Sequence, residues 1–283
     1  MKWNIVADSS IELFGMESEF DNINFSTVPF AINVGDEEYI DDESMEVDKL
    51  VTAMKECKSA SSTACPAPGA WYEKFSEEGN VIAITITSGL SGSFNSAIAA
   101  KNMVLDDEPD KKIEIIDSLA VGPEMILILR KLCGLISSGF GFEDVISKSY
   151  EYMKHMYTSF ALSSFDNLVK NGRMNRIAGF IAGKLGIIGI GIASDKGTIE
   201  IKGAARGSNK ALSIIIEDMK ERGKEIGEVV ISHVHNIEFA ERIKNEVKGI
   251  WASASVTIVP SRGLCSYYAE EKGLIIGYLD DNQ

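Results

Sequence analysis

An apolar run, Val81-Ile82-Ala83-Ile84, leads without a break into Thr85-Ile86-Thr87-Ser88-Gly89-Leu90-Ser91-Gly92-Ser93-Phe94-Asn95-Ser96-Ala97. Four apolar residues, then a turn of hydroxyls and glycines, then an alanine-rich helical pattern read as strand, tight turn and helix N-terminus. The turn brings unpaired backbone N–H groups, the positive end of a helix dipole and serine hydroxyls to one place. That combination binds an anion, typically phosphate or carboxylate.

The rest of the first half repeats the pattern. Asn4–Ala7 reads as a strand running into Asp8-Ser9-Ser10-Ile11-Glu12, where Ser9 and Glu12 have capping-box spacing and predict a helix start. Residues 25–34 read as one extended segment with an irregularity at Pro29, and Tyr39-Ile40 returns as a hairpin. A helix is predicted over 47–57, strands over 81–85 and 113–116, and a helix over 122–137. Strands alternating with helices give a parallel sheet covered on both faces, with ligands beyond the carboxyl ends of its strands. Asp8-Ser9, Thr87-Ser88 and Asp117-Ser118 all fall there; Asp8 and Asp117 either cap helices or face a ligand.

From about Ser159 the pattern changes. Asp195-Lys196-Gly197-Thr198 is a hairpin turn between strands at 187–193 and 199–202. Helices at 208–222 and 239–249 alternate with strands at 228–233, 255–259 and 274–278. Mixed signals predict a second domain with a mixed sheet, the boundary lying near 150–159.

Several function classes are set aside. The net charge of −14, from 42 acidic and 28 basic residues, offers no footprint for nucleic acid. No apolar run approaches the roughly 20 residues of a membrane span. Met1–Asp8 enters a strand pattern with no apolar leader, so a cytoplasmic location is expected. Cys57, Cys65, Cys133 and Cys265 are scattered, which argues against zinc or a disulfide framework. No metal is expected at His233-Val234-His235. Gly179–Lys184 is too short for a P-loop, and the glycines at 183–191 lack the context of a dinucleotide fingerprint; no cofactor is expected.

Gly89-Leu90-Ser91-Gly92-Ser93 nearly matches a nucleophile elbow, so a serine hydrolase acting on a lipid or ester through Ser91 is the rival reading. It needs a general base, and only His155, His233 and His235 exist. Ser62-Thr63-Ala64-Cys65-Pro66-Ala67-Pro68-Gly69 reads as a hydroxyl-bearing, proline-stiffened loop ahead of a helix. Asn171-Gly172-Arg173 and Ala205-Arg206-Gly207 place arginines beside glycine turns; such cations are ordinarily solvated surface charges.

Taken in order, these segments resemble the DegV family of bacterial fatty-acid-binding proteins. The likeness rests on Asp8-Ser9-Ser10, Thr63 with Pro66-x-Pro68-Gly69, Ser88 to Ser93, Asp117-Ser118, Leu168 to Arg173, Asp195-Lys196-Gly197 and Ala205-Arg206-Gly207. It implies a two-domain α/β fold: an N-terminal α/β/α domain with a mainly parallel sheet over residues 1–155, and a C-terminal α/β domain with a mixed sheet over 156–283. A long-chain fatty acid would lie between them, bound by a non-catalytic carrier. By position, Thr63, Ser91, Gly92 and Ser93 would hold its carboxylate. Arg173 and Arg206 would support a partner or phosphotransfer. The implied partner is an ATP-dependent fatty acid kinase that makes an acyl-phosphate for phospholipid synthesis. The chain departs from the family at residues 261–268, Ser-Arg-Gly-Leu-Cys-Ser-Tyr-Tyr, where many members carry a His-Thr-Gly-Pro-Gly type segment, and at Ala64-Cys65, where Ser-Gln is usual.

Overall fold

The computed structural model describes residues 2–16, 20–57, 59–174 and 186–281. The first half contains β1 (Trp3–Asp8), β2 (Ile23–Val28), β3 (Ala31–Val34), β4 (Glu37–Ile40), α1 (Val47–Glu56) and β5 (Ser61–Ala64). It continues through α2 (Pro68–Phe75), β6 (Asn80–Thr85), α3 (Ser93–Asp107), β7 (Ile113–Asp117), α4 (Pro123–Ser137) and α5 (Phe142–Met153). The second half begins with β8 (Met156–Leu162), α6 (Asp166–Lys170), β9 (Ile187–Ala193), β10 (Ile199–Arg206) and α7 (Ser208–Arg222). It closes with β11 (Ile226–His233), α8 (Ile237–Ile250), β12 (Ser255–Pro260), α9 (Gly263–Ala269) and β13 (Leu274–Asp280).

Strands β2-β1-β6-β7 form a parallel sheet, as the βα alternation predicts. Every residue of β1 is buried, which is how a strand covered on both faces reads. The second-half sheet runs β10-β9-β8-β13-β11-β12; β11 and β12 are parallel and the other pairs antiparallel. It is the expected mixed sheet. A three-stranded antiparallel sheet, β4-β3-β5, stands beside them.

Helix α4 joins the halves. Its first half, Pro123 to Leu129, is apolar apart from Glu124 and buried on every side, while Arg130, Lys131, Gly134 and Ser137 give the second half a face toward solvent. It packs in one cluster with Ile5, Ile82 and Ile116 of the parallel sheet and with Val230 and Leu279 of the mixed sheet. The approach is close: a Cβ at Gly277 in β13 would stand 2.5 Å from the Glu124 nitrogen.

Three local expectations are corrected. The extended segment 25–34 breaks at Pro29, which has no N–H to give a ladder, and β2 and β3 belong to different sheets. Asp8, rather than Ser9, caps the first turn: its carboxylate accepts the Ser10 N–H at 3.3 Å over the short 3₁₀ turn Ser9–Ile11. Glu12 ends that turn at φ 71° and turns its carboxylate to the Arg262 N–H at 2.5 Å, so no capping box forms. Ser61–Ala64 is a strand paired with β3, not a loop; pairing with a distant segment overrides its composition, and Pro66 follows just beyond. Gly179–Lys184 lies outside the described residues.

Candidate functional site

The first-half elements place their C-terminal turns against the second-half sheet, and a cavity opens between them. It encloses about 830 Å³ of space, part of it open to solvent. Phe30, Ile86 and Val121 wall it from one half; Phe160, Leu264 and Ile275 wall it from the other. The lining is chiefly apolar, with a few hydroxyls and one guanidinium.

Three of the lining hydroxyls, those of Ser91, Thr63 and Tyr268, come from the turn after β6, the end of β5 and helix α9. Thr63 and Ser91 both line the cavity. Thr63 Oγ1 lies 2.8 Å from the hydroxyl of Tyr268, another lining residue. Ser91 Oγ accepts the Ser93 N–H at 3.2 Å. Gly92 caps α3, and the Cys65 thiol stands 3.4 Å from where its Cβ would be. Among the described residues the N–H groups of Gly92, Phe94 and Asn95 have no partner, as expected of a helix N-terminus.

Ser93 is fully buried and does not line the cavity; its hydroxyl donates to Asp8 at 2.7 Å. Asp8 also accepts the Ile86 N–H at 2.9 Å, so one buried carboxylate ties the end of β1 to both flanks of the serine turn. Burial pushes its pKa above the usual range, while bonds from Ser10, Ser93 and Ile86 pull it down.

The two arginines part company. Arg173 lines the cavity, donating from Nε to the Leu90 carbonyl at 3.2 Å and from Nη1 to the Asn171 carbonyl at 2.6 Å. Arg206 is exposed at the end of β10 and is not in the cavity wall.

A nucleophilic role for Ser91 finds no base. No histidine lines the cavity. His235 faces Asp48 at 2.8 Å and Glu271 at 3.0 Å, and His233 Nδ1 accepts the Asn236 N–H at 3.2 Å. Both border a separate polar crevice. Among the described residues, no cluster of three His, Cys, Asp or Glu could hold a metal, and no helix is long and apolar enough to cross a membrane.

A family model described as the DegV family matches residues 2–279. The chain belongs to the DegV family. A DegV domain-containing protein of Streptococcus pyogenes is 38% identical over 278 residues, 98% of this chain and 99% of that protein. The Fatty Acid Kinase (Fak) B3 protein of Streptococcus pneumoniae, whose crystal structure is loaded with linoleic acid, is 38% identical, with a TM-score of 0.97 over 99% of this chain and 100% of that one. A DegV family protein of Eubacterium eligens loaded with heptadecanoic acid is 34% identical, with a TM-score of 0.94 and the same coverage.

In this DegV chain the histidine-free segment 261–268 is folded by acids that sequence reasoning missed. Asp41 accepts the Gly263 and Leu264 N–H groups, each at 2.9 Å, and Glu12 accepts that of Arg262. The three contacts turn Leu264, Cys265 and Tyr268 toward the cavity. Burial raises Asp41 to about 6 and Glu12 to about 7. A fourth buried acid, Glu124, accepts the Thr158 hydroxyl. Its sequence signal is a lone acid in the apolar stretch Val121 to Leu129.

Proposed function

We propose that this protein is a non-catalytic carrier of a long-chain fatty acid, held with its chain in the apolar cavity and its carboxylate at the polar end. The observation that carries this is the cavity itself: apolar walls from both halves meet the hydroxyls of Thr63, Ser91 and Tyr268, with the start of α3 just behind Ser91. An acyl chain gains about 0.8 kcal/mol for each methylene it buries, and a carboxylate entering so apolar a space needs such donors. Full-length likeness to proteins loaded with linoleic and heptadecanoic acids supports the reading. Thr63 and Ser91 offer hydroxyls, Gly92 its N–H, and Ser93 sets the start of α3 through Asp8. The reading treats residues 1–155 and 156–283 as two domains with the lipid between them.

The carboxylate end lies at the rim containing Arg173, and the carrier presents it to a cytoplasmic ATP-dependent fatty acid kinase for acyl-phosphate formation in phospholipid synthesis. The likeness to the Fak B3 protein supports this partner. Arg173 at the rim and Arg206 outside it serve the partner or the transferring phosphoryl group. The test is solvent extraction and native mass spectrometry of purified protein. One fatty acid per chain is the expected result; a protein still lipid-free after incubation with palmitate or oleate overturns it. A fluorophosphonate probe should leave Ser91 unlabelled, and stoichiometric labelling would restore the hydrolase reading.

A further inference from the structure

We infer that Tyr268 is a positioning residue for the fatty-acid carboxylate, acting through the hydroxyl of Thr63. The inference rests on the fatty-acid reading above. Tyr268 lines the cavity, and its hydroxyl lies 2.8 Å from Thr63 Oγ1. The pair holds two hydroxyl protons and uses one between its members, which leaves one proton to donate. A phenol is the stronger acid of the two and the better donor to its neighbour, so the free proton is that of Thr63, polarised by the bond it accepts. Without Tyr268, the Thr63 hydroxyl could rotate and satisfy itself elsewhere.

The phenol is held in place from behind. Thr63 and Ser61 alternate onto the inner face of β5. The adjacent Tyr267 reaches Ser61 Oγ at 2.7 Å and accepts a hydrogen bond from Asn171 at 2.9 Å. Tyr267 is fully buried, and its ring meets that of Tyr268 edge-on, centroids 4.9 Å apart at 86°. Two tyrosines of α9 thus match two hydroxyls of β5, and the inner pair fixes the direction of the outer one.

The phenol also keeps its proton. Burial raises the Tyr268 phenol above its ordinary pKa, against the pull of the Thr63 bond and the Arg173 charge. The phenol therefore stays protonated across the physiological range, whereas an imidazole titrates there.

The test compares oleate with oleyl alcohol on delipidated full-length wild type, Tyr268→Phe, Thr63→Val and the double variant. Tyr268→Phe should weaken oleate binding about tenfold, while oleyl alcohol changes less than about threefold, because the charged head group gains most from the donor. The double variant should lose less than the product of the single losses, since both act on one proton. An oleate affinity unchanged by Tyr268→Phe, an equal loss for acid and alcohol, or strictly multiplicative losses would each overturn the role. If wild type binds neither probe, the fatty-acid reading itself fails.

Discussion

Replacing Glu124 with glutamine should abolish a pH dependence built into the junction between the two sheets. Glu124 is only 6% exposed, near the start of α4, where the backbone of Gly277 closes over it. Burial raises its carboxyl from 4.5 to about 7, against the Thr158 bond and the charge of Arg222. At 1.36 kcal/mol per pH unit, that rise corresponds to about 3 kcal/mol. The folded protein holds this proton more tightly than the unfolded chain does. The stability contribution is therefore complete below pH 4.5 and is lost as pH rises to about 7. Urea unfolding from about pH 5.5, above the isoelectric point near 4.8, to about pH 8 samples most of the change. Over that range the wild type should lose about 2 kcal/mol relative to Glu124→Gln, which keeps an oxygen for Thr158 but cannot ionise. Parallel curves, or a wild type gaining on the variant as pH rises, would refute the assignment.

Thr63→Ala and Ser91→Ala should each weaken oleate binding by about 1.5–3 kcal/mol in a displacement titration, with unchanged circular dichroism; wild-type affinity in both would place the carboxylate elsewhere. Gly197→Ala should destabilise by about 2 kcal/mol in urea, because Gly197 sits at φ 66° and a Cβ would overlap Thr87 Oγ1; a loss below about 0.5 kcal/mol would mean the hairpin tip does not rest on the serine turn. Arg206→Ala should load oleate normally yet slow kinase-coupled acyl-phosphate formation. Arg173→Ala should lose affinity as well, and a double variant with full coupled activity would return both to the role of surface charges.

The parts of the fold legible in the sequence are those whose signals are local. β6, the serine turn and α3 follow one another within a few residues, and the hairpin β9–β10 announces itself at Asp195-Lys196-Gly197-Thr198. α5 went unread, although its buried Val145, Ser149 and Tyr152 fall at helical spacing. β5 was not legible. Its four small residues, three of them hydroxyl-bearing, have no apolar alternation, and they become a strand only because β3 lies alongside.

The site divides in the same way. Thr63 and Ser91 could be named from the motif resemblance, but what orients each lies far along the chain. Ser93 depends on Asp8, 85 residues away, and Thr63 on Tyr268, 205 residues away. No window of sequence contains either pair. The missing histidine shows the limit most clearly. From sequence, residues 261–268 look like a lost recognition element. In the fold, Asp41 and Glu12 hold its first amides, and that anchoring aims Leu264, Cys265 and Tyr268 at the cavity. Backbone acceptors do not read side-chain identity. The anchored turn can therefore vary the side chains it presents, provided position 263 stays glycine: a Cβ there would stand 2.5 Å from Asp41 Oδ1 and displace the anchor.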